Sequence, residues 1–111
     1  MQPPVPTVAV DQVPAGALLL DVREDEEWIA GHIDGAVHIP MYELPDWLAS
    51  DPPEPDRALY VICKVGSRSA LVATWLNQQG YQAFNVEGGM MAWANSRRPM
   101  ISTTGETPQV V

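Results

Sequence analysis

Short apolar runs alternate with helical patterns along this chain. Leu18-Leu19-Leu20-Asp21-Val22, Leu59-Tyr60-Val61-Ile62 and Ala83-Phe84-Asn85-Val86 are brief, rich in branched residues and nearly continuous in apolar character, as strands buried on both faces are. Val8 to Val10 and Val37-His38-Ile39 read as two weaker strands. Between them, Glu24 to Ala30 reads as an acidic helical turn stopped by Gly31, and Met41 to Ser50 places Leu44, Trp47 and Leu48 at helical spacing. A longer helix is predicted after the polar loop Lys64-Val65-Gly66-Ser67-Arg68. Ser67 or Ser69 would cap its start, and Gly80 would stop it. Ala70, Ala73 and Leu76 form one apolar stripe on it and Leu71 and Trp75 another, so that it reads as widely buried. A last helix, Met90 to Asn95, follows Gly88-Gly89. This alternation predicts an α/β fold: a central parallel sheet of five strands, flanked by helices on both faces.

The chain has 111 residues, enough for one ordinary domain with a single core and no disulfide. The biased stretches are the proline-containing start and the turn Asp51-Pro52-Pro53-Glu54-Pro55-Asp56, which reads as surface loop. The expected organisation is a flexible N-terminus over 1–7, a domain over 8–97 and a loosely held, mostly polar tail over 98–111.

Charge narrows the partners. Fourteen Asp and Glu against six Lys and Arg give a formal net charge of −8, which repels nucleic acid and anionic membranes at long range. An anionic substrate would need a local positive pocket. The opening Met1-Gln2-Pro3-Pro4-Val5-Pro6 has no basic region followed by an apolar core, and no stretch approaches membrane-spanning length, so the expectation is a soluble cytoplasmic protein. A lone cysteine makes no internal disulfide, and without a second cysteine or a histidine cluster it builds no zinc site; no cofactor or metal is expected.

That cysteine, Cys63, carries the candidate chemistry. It follows the run Leu59 to Ile62 and opens the polar loop Lys64-Val65-Gly66-Ser67-Arg68, which leads into the long helix. A strand that ends in a glycine-containing turn before a helix aims backbone N–H groups and the positive end of the helix dipole at the loop's centre. A thiol placed there ionises easily, and the thiolate is the attacking form. Lone cysteines are more often inert, buried hydrophobes. Here, however, two of the chain's six cations, Lys64 and Arg68, lie within five residues of Cys63, where they would lower its pKa further. In parallel sheets ligands gather at the carboxyl ends of the strands, where Asp21 to Arg23 and Gly88-Gly89 would join the cysteine loop.

Four signatures in order, Leu20-Asp21-Val22-Arg23-Glu24, then Gly31-His32-Ile33 with Gly35-Ala36 and Ile39-Pro40, then Cys63 to Arg68, then Gly88-Gly89 with Trp93, resemble a rhodanese-like sulfurtransferase domain over about residues 8 to 97. The resemblance implies that Cys63 is the nucleophile, accepting a sulfane sulfur from thiosulfate or another donor and passing it to cyanide or a thiol. The loop Lys64, Val65, Gly66, Ser67 and Arg68 would wrap the outer sulfur with its amides and bind the substrate, with Gly66 permitting the turn. Ser69 fits a family preference for a small hydroxyl residue where the helix begins. Active members often carry arginine directly after the cysteine; Lys64 keeps the charge and loses the planar fork. Phosphatases sharing this fold have a loop one residue longer, with arginine six positions after the cysteine. Here that position is Ser69, and the arginine is Arg68, so a phosphoryl substrate fits poorly.

Other residues read more simply as support. Asp21 and Arg23 form a charged pair at a strand end that fixes neighbouring loops, and Glu27, one helical turn on, is an ion partner for Arg23. Transfer from an ionised thiolate needs no general base, so His32 and His38 read as packing residues. Trp28, Trp47, Trp75, Met90 and Trp93 read as core or wall, and Arg97 and Arg98 as the end of the last helix. The leading expectation is a thiosulfate sulfurtransferase working by double displacement. The partners would be a small anionic donor such as thiosulfate and a protein or small-molecule thiol. The rival is a regulatory or partner-specific sulfur-carrier module on the same fold.

Overall fold

A computed structural model describes residues 4–111. Five parallel strands, β1 (Thr7–Val8), β2 (Leu18–Asp21), β3 (Val37–His38), β4 (Leu59–Ile62) and β5 (Ala83–Val86), form one sheet in the order β1-β5-β4-β2-β3. Four α-helices, α1 (Asp25–Ala30), α2 (Leu44–Ser50), α3 (Ser67–Gln78) and α4 (Gly89–Asn95), connect and cover it, with short 3-10 turns at Val10–Gln12 and Met41–Glu43. Among the described residues no helix is long and apolar enough to cross a membrane. Strands β4 and β5 run over the residues their apolar patterns predict. The weak runs at Val8 and Val37 pair over only two residues each, as edge strands.

The pleat sends successive side chains to opposite faces, and two cores result. Leu20, Leu59 and Val61 pack on one face with Leu44, Val72, Ala73 and Leu76 of α2 and α3. Leu19, Ile62 and Val86 pack on the other with Val10, Ile33, and Met90 and Trp93 of α4. Helices therefore lie on both faces.

Two helical details differ from the sequence reading. Helix α3 buries one stripe, Ser69, Val72, Ala73 and Leu76, while Leu71 is 67% exposed. A helix laid on one face of a sheet has only one side to bury, so the second stripe, Leu71 and Trp75, faces outward or lies at the margin. Its N-cap is Gly66, not a serine, and no side chain caps it. Ser69 is turned inward instead.

The C-terminal segment, expected to be loosely held, is tied to the end of α1 by backbone hydrogen bonds. His32 and Ile101 exchange N–H and carbonyl at 2.8 Å each way, and the amides of Thr103 and Gln109 donate to the carbonyls of Ile29 and Ala30 at 3.1 and 2.9 Å.

Candidate active site

Cys63 follows the last residue of β4 and is fully buried at the carboxyl edge of the sheet. Its own carbonyl accepts from the amide of Met90 at 2.8 Å, and the carbonyl of Lys64 accepts from Met91 at 3.0 Å, so the first turn of α4 grips the start of the loop. Gly89 makes that grip possible. It has φ +56°, and a side chain there would collide with the Cys63 carbonyl and the Lys64 backbone.

From Cys63 the loop folds back over the sulfur. Gly66, at φ +106°, supplies the left-handed turn into α3, and its N–H points at Cys63 Sγ from 3.1 Å. The N–H of Ser69 points at the same sulfur from 3.3 Å and the Ser69 hydroxyl from 3.2 Å. These are the donors a thiolate needs. Burial alone would push the thiol up, but the Ser69 hydroxyl and the amides of Ser69, Gly66 and Val65 outweigh it and hold Cys63 below the ordinary thiol range.

The cations act differently from the sequence reading. Arg68 donates Nη1 to Glu27 Oε1 at 2.7 Å and Nη2 to Glu27 Oε2 at 2.9 Å. That partnership raises the Arg68 pKa and lowers that of Glu27; attraction between Arg68 and Cys63 ranks behind it. The guanidinium charge is thus largely matched before it reaches the sulfur. Lys64 is half-buried, Val65 is 57% exposed at the loop's crest, and Ser67 is exposed as the first residue of α3.

Glu27 was expected to pair with Arg23, which instead is completely buried against Asp21. Arg23 donates Nε to Asp21 Oδ1 at 2.9 Å and Nη2 to Oδ2 at 2.7 Å, while Asp21 Oδ1 also accepts the Arg23 amide at 3.2 Å. The remaining donors reach the carbonyls of Gly31 at 2.8 Å and Glu27 at 3.3 Å. Asp21 wins because it is two residues away at the strand end and equally dry, whereas the Glu27 side chain leans outward to α3. The buried pair thereby ties down the middle and the C-terminal end of α1, the helix that carries Arg68's partner.

Asn85, which sequence reasoning did not single out, joins the site. On β5, opposite Val61 of β4, its Oδ1 accepts from Ser69 Oγ at 2.6 Å. The signal was a polar amide inside a buried apolar run, which requires a partner.

The histidines lie elsewhere. His32 and His38 flank Trp28 in a stack, with ring centroids 3.6 and 4.7 Å from it, and their ring nitrogens bond the carbonyls of Trp28 and Arg23. Arg98 stacks 4.0 Å over Trp93 and bonds the Val10 carbonyl. It helps line a cavity of about 550 Å³ with Arg57, Leu18 and Gly35, at the amino ends of the strands and with no residue of the cysteine loop in its wall. Among the described residues no cluster of His, Cys, Asp and Glu could hold a metal.

With a buried, donor-wrapped cysteine at the carboxyl end of its parallel sheet, the chain belongs to the rhodanese-like domain family, whose model matches residues 7–96. Its relatives in this family include proteins that bear sulfurtransferase and sulfur-carrier names. It is 44% identical over 81 residues to YtwF of Bacillus subtilis (strain 168), which bears a sulfurtransferase name, covering 73% of this chain and 77% of that one. Over 83 residues it is 32% identical to the thiosulfate sulfurtransferase GlpE of Stutzerimonas stutzeri (strain A1501), covering 74% of each. The crystal structure of a rhodanese-like domain protein from Staphylococcus aureus superposes with a TM-score of 0.72 at 37% identity, covering 79% of this chain and 90% of that one.

Proposed function

We propose that this protein is a sulfurtransferase in which Cys63 alternates between thiolate and persulfide. The convergence of the Ser69 hydroxyl with the amides of Ser69 and Gly66 on one buried sulfur supports this reading most directly. The thiolate attacks the outer sulfur of thiosulfate; the S–S bond of the donor breaks, sulfite leaves, and Cys63 carries a persulfide whose charge sits on the outer sulfur. Amides of the loop Lys64, Val65, Gly66, Ser67 and Arg68 are the donors available to that charge. Cyanide or a thiolate then attacks the outer sulfur, leaves as thiocyanate or a new persulfide, and returns the Cys63 thiolate. No external oxidant or reductant enters, and the ionised nucleophile needs no histidine. Asp21 and Arg23 act as structural support.

The pairing of Arg68 with Glu27 favours a second reading, a carrier loaded by one cognate protein, because it leaves Lys64 as the loop cation without a recorded ion pair among the described residues. A 42% identity over 76 residues to YrkF of Bacillus subtilis, which bears a sulfur-carrier name, is in keeping with it; this chain covers 40% of that protein.

Intact mass before and after brief incubation with thiosulfate, then after cyanide, tests the proposal. A gain of one sulfur atom that is absent in Cys63→Ser and reversed by cyanide supports both half-reactions. No gain with thiosulfate, but loading from a protein persulfide donor, selects the carrier. Loading that persists in Cys63→Ser overturns both.

A further inference from the structure

We infer that Asn85 is a positioning residue for the nucleophile: its side-chain carbonyl competes with the Cys63 sulfur for the single hydroxyl proton of Ser69. The inference deepens the sulfurtransferase reading and rests on Cys63 being its nucleophile. Ser69 Oγ lies 2.6 Å from Asn85 Oδ1 and 3.2 Å from Cys63 Sγ. Cys63 and Ser69 are fully buried, and Asn85 is 8% exposed. A hydroxyl has one proton to give and lone pairs with which to accept, so it cannot serve both acceptors at once.

Two arrangements are open to the cluster. With Cys63 protonated, its S–H points to Ser69 Oγ, and the Ser69 proton points to Asn85; each donor then has an acceptor. With Cys63 ionised, the Ser69 proton turns to the sulfur, because a bond to a charged acceptor is roughly twice as strong as a neutral one, and Asn85 Oδ1 loses its donor. Asn85 therefore stabilises the protonated array and opposes the thiolate. The persulfide brings the first array back, since loading moves the negative charge to the outer sulfur and leaves the inner one a weak, neutral acceptor. The Ser69 hydroxyl thus reports on loading, and Asn85 Oδ1 accepts its hydrogen bond whenever the inner sulfur is uncharged.

The sheet fixes this contact. Strand β5 holds Asn85 opposite Val61 in β4, two residues before the cysteine, while the first turn of α3 holds Ser69. The ionisable groups on the surrounding elements are Asp21 and Arg23 at the end of β2, Glu27 on α1, Lys64 and Arg68 in the loop and Glu87 after β5. None of them bonds the side chain of Asn85 or Ser69; among the described residues the side chain of Asn85 bonds Ser69 alone.

The test is the pH profile of iodoacetamide alkylation of the full chain, compared among wild type, Asn85→Ala, Ser69→Ala and the double variant. Ser69→Ala is expected to move the midpoint up. Asn85→Ala is expected to move it down, with alkylation below the wild-type midpoint about fivefold faster, the worth of one modest hydrogen bond. In the Ser69→Ala background the Asn85 substitution should do nothing. An unchanged or raised midpoint in Asn85→Ala overturns the competition, as does a shift of equal size without Ser69. If Asn85→Ala does not fold, Asn85→Val, which suits a strand and also lacks the acceptor, carries the same expectations. Failure of the sulfurtransferase reading is read separately, since a wild-type protein that never gains sulfur from any donor still has an alkylation profile.

Discussion

The guanidinium of Arg68 meets the carboxylate of Glu27 in a two-pronged pair, 2.7 and 2.9 Å long, that joins the start of α3 to α1 across 41 residues of chain. The fork geometry needs a planar cation. Its effect is to exchange a free positive charge beside the thiol for a rigid loop. Anion attraction then falls to Lys64 and to the loop amides, and the thiolate is held mainly by hydrogen bonds.

The pair should be visible as a coupling. Glu27→Ala and Arg68→Ala are each expected to lower stability, and the double variant to be little worse than either, with a coupling of about 1–2 kcal/mol, above that of an exposed pair because both side chains are partly buried and the geometry is bidentate. Denaturant midpoints of the four proteins measure it. Additive losses would mean that the pair contributes nothing.

Its pH dependence has a definite sign. The folded-state pKa of Glu27 lies below its ordinary value of 4.5, chiefly through the Arg68 hydrogen bond. A depressed carboxylate contributes stability that is complete above the unfolded pKa and disappears as pH falls through the folded one. The stability difference between wild type and Glu27→Gln should therefore be constant near neutrality, shrink below about pH 4.5 and vanish at stronger acidity. A difference that grows on acidification would contradict it.

Arg68→Ala should cost more in sulfur transfer from thiosulfate than Lys64→Ala, because it releases the loop as well as removing a charge. The two should also separate by salt. The Lys64→Ala defect, carried by a charge with no ion-pair partner among the described residues, should fade as ionic strength rises and the Debye length contracts, whereas loss of the Arg68–Glu27 contact should persist. Steady-state rates at low and high salt decide this, and equal sensitivity of both variants would refute the division of roles.

The deepest electrostatic commitment lies at the end of β2. Asp21 and Arg23 are both fully buried and bonded to each other, so Asp21→Ala would strand a charge in the core. A loss of roughly 3–5 kcal/mol is expected for breaking such a pair from one side, well beyond that of Glu27→Ala. Replacing both with apolar residues should recover part of the loss. Thermal or denaturant unfolding reports it, and a cost no greater than that of the Glu27 variant would refute the stranding of the Arg23 charge.

The sheet was legible because its strands are buried on both faces, so that runs such as Leu59 to Ile62 announce themselves without periodicity. The seat of Cys63 was legible for a related reason: strand, glycine turn and helix follow one another within a few residues. Glu27 and Asn85 were harder to place because their partners lie 41 and 16 positions away, and no local pattern encodes which of two cations an acid will meet. Leu71 misled because an apolar residue at helical spacing says nothing about how much of the helix circumference the sheet can cover.

Gly89 offers the sharpest test of how the loop is held. A side chain there would strike the carbonyl of Cys63 and the backbone of Lys64, and its φ of +56° strains any residue with a Cβ. Gly35, at φ +85°, has open space where a Cβ would go. Gly35→Ala should therefore cost about 1–2 kcal/mol from backbone strain and leave the thiol's alkylation profile as it was. Gly89→Ala should cost more, since the α4 amides that bond Cys63 and Lys64 must move away, and it should raise the alkylation midpoint as the loop loses its register on the sulfur. If Gly89→Ala leaves the profile of Cys63 unchanged while destabilising the fold no more than Gly35→Ala, the grip of α4 on the loop is not what positions the Cys63 sulfur.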